Sequence, residues 1–170
     1  MEFDDHDPWN EPSHRHPRAN ELISNEALWD CANELAPFGS DEGADAYVEY
    51  RRWRSENPRS NLVDCVAWIL GSKNDEYNAA LVRDSAIGDS DKSAGDFGYP
   101  DAFTLDATVI ATVLGQLVDE GRIDTEAKPF AKVAIDRQSH PIVLSQYHDE
   151  ETIAERRAIL QSVWQIIEAA

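Results

Sequence analysis

Apolar residues recur along this chain at intervals of three and four rather than two, the spacing that gathers them on one side of an α-helix. The pattern begins at Arg18. A short helix over 18–23 is followed by one over 25–36, in which Leu28, Cys31, Ala32 and Leu35 share a face until Pro37 stops it. Gly39 and Ser40 then read as a break and an N-cap, and Asp41 and Glu42 fill a first turn where the helix dipole favours negative charge. The helix they open spans 41–56. Ala46, Tyr47, Tyr50 and Trp53 lie on one side of it, and Asp41, Asp45, Glu49, Arg52 and Glu56 on the other.

Pro58 interrupts the pattern and Ser60 reads as the next cap. Beyond it Leu62, Val63, Cys65, Val66, Ile69 and Leu70 cover more than half of a helix that ends at Gly71, so this element is largely buried. Residues 75–87 carry a weaker helical pattern through Tyr77, Ala80, Leu81 and Val82, and 88–101, rich in Gly, Ser and Asp, reads as a long loop. Thr104 caps a helix over 105–120 whose Val109, Ile110, Val113, Leu114, Leu117 and Val118 place it at the centre of the core, with Gly121 as its stop. Residues 126–138 follow as a helix entered through Pro129, and 142–144 are short enough to be extended. The last helix, 149–167, has Asp149, Glu150 and Glu151 at its positive end and Ile153, Leu160, Val163, Trp164 and Ile167 as its stripe. These elements predict an all-α fold of seven or eight helices forming one compact domain over 18–170. Ahead of it, residues 1–17 combine acidic residues, three histidines and three prolines, and read as a flexible acidic tail with Trp9 as its one anchor.

Charge changes the picture most. The 170 residues carry 33 Asp and Glu against 15 Lys and Arg, a net charge of −18, on a chain whose 42% apolar content is ordinary for a folded domain. Such a surface repels nucleic acid and anionic membranes and attracts basic proteins. A halophile's solvating surface has the same composition. No apolar run approaches the roughly 20 residues needed to cross a bilayer, and the acidic start lacks the cationic segment of an export signal. The expected location is the cytoplasm. Cys31 and Cys65 both sit within apolar patterns and read as reduced core thiols.

Candidate chemistry is sparse. His6, His14 and His16, near Asp4, Asp5 and Asp7, are metal-ligand types, but on a segment with no outer shell to hold them. Asp41, Asp45 and Glu49, spaced i, i+4, i+8, line one helical edge as helix-bundle metal sites do; the Glu-x-x-His partner such sites need is missing, and Arg52 sits at salt-bridge spacing from Glu49 and Glu56. No phosphate-cradling loop, nucleophile elbow or zinc spacing occurs. The composition therefore predicts no catalytic, metal or cofactor residue.

Over 34–43, reading Glu34, Leu35, Ala36, Pro37, Phe38, Gly39, Ser40, Asp41, Glu42 and Gly43, and again at Tyr50, Arg51, Arg52, Trp53 and Arg54, the chain resembles the YfeS-like bacterial family. The resemblance covers about 16–70. It implies a bacterial cytoplasmic protein and carries no established activity or catalytic residue.

Two function classes follow. The first is a non-enzymatic acidic binding protein, such as an immunity protein or inhibitor that engages a basic macromolecule like a nuclease toxin, with Asp41, Asp45, Glu49 and Glu56 as the partner-binding edge. The alternative is a metal-dependent hydrolase using carboxylates of the 41–56 helix and the 88–101 loop.

Overall fold

The computed structural model describes residues 6–71, 74, 75, 77 and 101–170. Among these it contains seven α-helices and no strand: α1 (Pro17–Leu22), α2 (Asp41–Glu56), α3 (Leu62–Leu70), α4 (Asp101–Glu120), α5 (Lys128–Gln138), α6 (Pro141–Leu144) and α7 (Glu150–Ala169). The all-α class expected from the periodicity is the observed one. The expected loop over 88–101 and most of the weak 75–87 helix fall outside the described residues.

Local chemistry sets the boundaries. Ser40 caps α2 by accepting a hydrogen bond from the Gly43 amide at 3.1 Å, as its position promised. For α3 the cap is Asn61, accepting from the Val63 amide at 3.0 Å, one residue later than Ser60. The helix expected over 25–36 does not form. Only a 3₁₀ turn, Glu26–Trp29, survives, because the side-chain oxygens of Asn25, Asp30 and Asn33 each accept from the amide two residues ahead and divert the backbone into successive turns. Cys31, expected in the core, is consequently exposed, whereas Cys65 is fully buried. Helix α4 starts at Asp101, so Thr104 lies inside its first turn rather than capping it. Residues 142–144 are helical, not extended: His140 Nδ1 accepts from the Ile142 amide at 3.3 Å and Pro141 occupies the first helical position.

Helix α4 is the hub. Every residue from Val109 to Val118 is buried, and α2, α3, α1 and α5 all pack on it, with α7 against α5. The α2 contact is close because position 115 is glycine: a β-carbon there would lie 3.0 Å from the Tyr47 ring and 3.1 Å from that of Tyr50. The helix stops at Gly121, whose φ of +70° suits glycine and whose missing β-carbon leaves room for the His16 ring.

That contact is one of several by which residues 6–17, read from the sequence as part of a flexible tail, lie against the helices. Arg15, 7% exposed, lies 3.7 Å over the Trp29 ring and donates to the carbonyls of Pro8 and Trp9. Trp9 packs on Phe38 and Tyr47, and the His16 amide donates to the Val118 carbonyl at 2.7 Å. The buried Arg15 guanidinium thus ties the Pro8–Trp9 turn to Trp29.

Candidate functional site

The acidic edge read from the sequence meets its surroundings along α2. Asp41 stands exposed at the helix start, and Glu56 is exposed at its last residue, about 22 Å away at 1.5 Å per residue. Asp45 and Glu49 face the space between them. With Glu42 they rim a solvent-open groove of about 420 Å³ whose floor and far wall come from Ala46 of α2, Trp68 and Ile69 of α3, and Thr104, Leu105 and Thr108 of α4. The four predicted residues are therefore not one site: two line the groove and two lie beyond its ends.

The groove's electrostatics are unbalanced. Neither Glu42 nor Asp45 has a hydrogen-bond or ion-pair partner among the described residues, and Glu49 has only Arg52, 3.9 Å away with both side chains well exposed. An exposed pair of that kind contributes little. Trp68 is 48% exposed, which with Val48 makes it one of two large apolar side chains open to water among the described residues. Reading the sequence missed Trp68 within a mostly apolar helix. The signal was present, since at about 100° per residue Trp68 points about 130° away from the direction shared by Leu62, Cys65, Val66, Ile69 and Leu70.

A different polar cluster closes the opposite end of the α2–α4 contact. The Tyr47 hydroxyl donates to Asp119, which also pairs with Arg51 Nε at 3.2 Å, and His6 Nε2 lies 2.8 Å from the same hydroxyl. Beside it the Tyr50 hydroxyl donates to Glu120 at 2.8 Å, and Arg54 Nε and Arg122 Nη2 reach that carboxylate at 2.7 and 2.8 Å. Burial raises the Asp119 pKa against the pull of Tyr47 and Arg51, and burial with the neighbouring carboxylates raises both tyrosines. These hydroxyls remain protonated and act as donors. The helix is thus acidic at its start and basic at its end through Arg51, Arg52 and Arg54, the order its dipole prefers.

The third cluster is internal. Asp106, fully buried on α4, accepts from Arg137 Nε and Nη2 at 2.9 Å each, from Gln138 Nε2 at 2.8 Å and from the Tyr77 hydroxyl at 2.7 Å. Burial raises the Asp106 pKa, opposed by Arg137, Gln138 and Tyr77. With all four residues no more than 1% exposed, the cluster has no access for a substrate and serves to fix α4 against α5.

No group of three or more His, Cys, Asp or Glu side chains among the described residues converges as metal ligands would. His14 accepts from the Asp7 amide and stacks on His6, and His16 caps α1. No helix of the described residues is long and apolar enough to cross a membrane.

The stretch 35–40 is built as a joint. Ala36, Pro37, Phe38 and Ser40 are buried, and Arg156 of α7, 5% exposed, donates to the Leu35 carbonyl at 2.8 Å. It ties the start of α2 to α7. Comparison of the chain with protein-family models, with curated proteins and with solved structures finds no match.

Proposed function

We propose that this is a non-enzymatic binding protein of the bacterial cytoplasm, related to the YfeS-like proteins, whose α2 face takes hold of a basic protein, as an immunity protein does when it occludes a nuclease toxin. The observation that carries the reading is the groove beside α2, where Glu42 and Asp45 have no cation to answer them among the described residues and Trp68 lies open. Carboxylates left unpaired beside apolar surface gain most from a partner that brings positive charge and removes water. A net charge of −18 steers such a partner in from a distance and turns nucleic acid away. The 88–101 loop on which the hydrolase alternative also rests lies, but for Asp101, outside the described residues.

The test is capture from the native host followed by association kinetics of the identified partner at low and high salt. Reversing the edge with Asp45→Lys and Glu49→Lys leaves the circular dichroism spectrum unchanged, because both side chains are at the surface. It slows association at low salt by about tenfold or more and flattens the salt dependence. An acidic partner, or a basic one whose association ignores the reversal, overturns the reading.

A further inference from the structure

Resting on that reading, we propose that the groove between α2, α3 and α4 seats an arginine side chain from a basic segment of the partner, laid on the face of Trp68 with its guanidinium among Glu42, Asp45 and Glu49.

The tryptophans point to the ligand. Arg15 lies 3.7 Å over Trp29, Arg54 5.2 Å over Trp53 and Lys132 5.5 Å over Trp164, while Trp9 packs on Phe38 and Tyr47. Among the described residues Trp68 alone has neither a ring nor a cation partner, and it is the one half exposed beside unpaired carboxylates. A cation over an indole face is attracted by the ring quadrupole, and the attraction grows when water is displaced. Ala46, Ile69 and Leu105 offer an apolar floor for a methylene stem, so head and stem of one long basic side chain both find a counterpart. Arginine fits better than lysine. Its planar guanidinium stacks on an aromatic ring while its edge still donates to carboxylates, whereas an ammonium is compact and strongly hydrated.

Charge decides between occupants. A second copy of the chain brings a net charge of −18 to an acidic groove, and the chain's own residues 72–100 hold twice as many acidic as basic side chains. Among the described residues Arg52 is the cation paired to the groove rim, and at 3.9 Å from Glu49 with 68% of its side chain exposed it can move aside for a ligand.

The experiment titrates the full chain with an oligo-arginine peptide and an oligo-lysine peptide of equal length, by calorimetry and tryptophan emission. The expected result is tighter binding of the arginine peptide, with a change in emission. Trp68→Ala, whose melting temperature stays at the wild-type value because the ring is half exposed, lowers arginine-peptide affinity about tenfold and erases the preference over lysine. Trp68→Phe keeps part of the affinity and loses the emission change. If Trp68→Ala binds both peptides as the native chain does, this inference falls while the acidic-face reading stands; if neither peptide binds the native chain, both fall. Concentration-dependent self-association abolished by Trp68→Ala also overturns it, since the groove would then be a contact between copies.

Discussion

Cys31 and Cys65 share a residue type and differ in everything that controls their reactivity. Cys65 is fully buried on α3, and burial pushes its thiol up to about 12, so at neutral pH it is neither accessible nor ionised. Cys31 is exposed on the turns after the 3₁₀ segment Glu26–Trp29. A thiol reagent followed by mass spectrometry should therefore label Cys31 at once and Cys65 only as fast as the fold opens. Cys65→Ala should lower stability by about 1–3 kcal/mol, measured by urea unfolding, as core truncations do; rapid native labelling at both sites would contradict this placement. The apolar pattern was enough to bury Cys65. It misplaced Cys31 because three short polar side chains, Asn25, Asp30 and Asn33, outcompete the helix for local backbone amides. Tyr47 and Tyr50 show the complementary limit: periodicity turned their rings inward, and nothing in it said that the hydroxyls would reach Asp119 and Glu120.

At the level of elements, caps and cross-helix pairs decide where helices begin and how they meet. Asp149 caps α7 by accepting from the Thr152 amide at 2.7 Å, and that bond, with the Thr152 hydroxyl, holds its carboxyl below the usual range. A depressed folded pKa contributes stability that is present above the unfolded value near 3.9 and is lost as pH falls through the folded value. The gap in melting temperature between the native chain and Asp149→Ala should then be open at neutral pH and shrink below about pH 4; a gap that is constant with pH would show the cap acting without its charge. The Asp106–Arg137 pair makes a separate prediction. Arg137→Met strands a buried carboxylate and should cost about 3–5 kcal/mol, while Asp106→Leu combined with Arg137→Met should cost less than Arg137→Met by itself. Chemical denaturation of Arg137→Met, of Asp106→Leu by itself and of the double variant gives the coupling directly. A double variant as unstable as the sum of its parts would show that the two groups do not act as a pair.

For the molecule as a whole, the net charge of −18 sets the background. Self-repulsion among surface carboxylates destabilises the compact state and is screened by salt. Raising sodium chloride from a few tens of millimolar to about half molar should raise the melting temperature, whereas a chain held chiefly by surface ion pairs would lose stability. Differential scanning calorimetry distinguishes the two signs.

By itself the sequence determined the helical class, the bounds of α2, the central place of α4 and the stop at Gly121, because periodicity, first-turn charge and a glycine at positive φ are properties of a few neighbouring residues. Only the tertiary structure decided which inward polar groups meet. Asp106 sits in an apolar stripe, and its partners Arg137 and Gln138 lie more than thirty residues on. The docking of 6–17 likewise hangs on Arg15 finding Trp29 and the carbonyls of its own segment. The groove was half legible, through Asp45 and Glu49. Trp68 and Leu105 joined them only when α3 and α4 were packed against α2, because burial and exposure depend on what lies opposite a side chain, and hydrophobic spacing records only which way it turns.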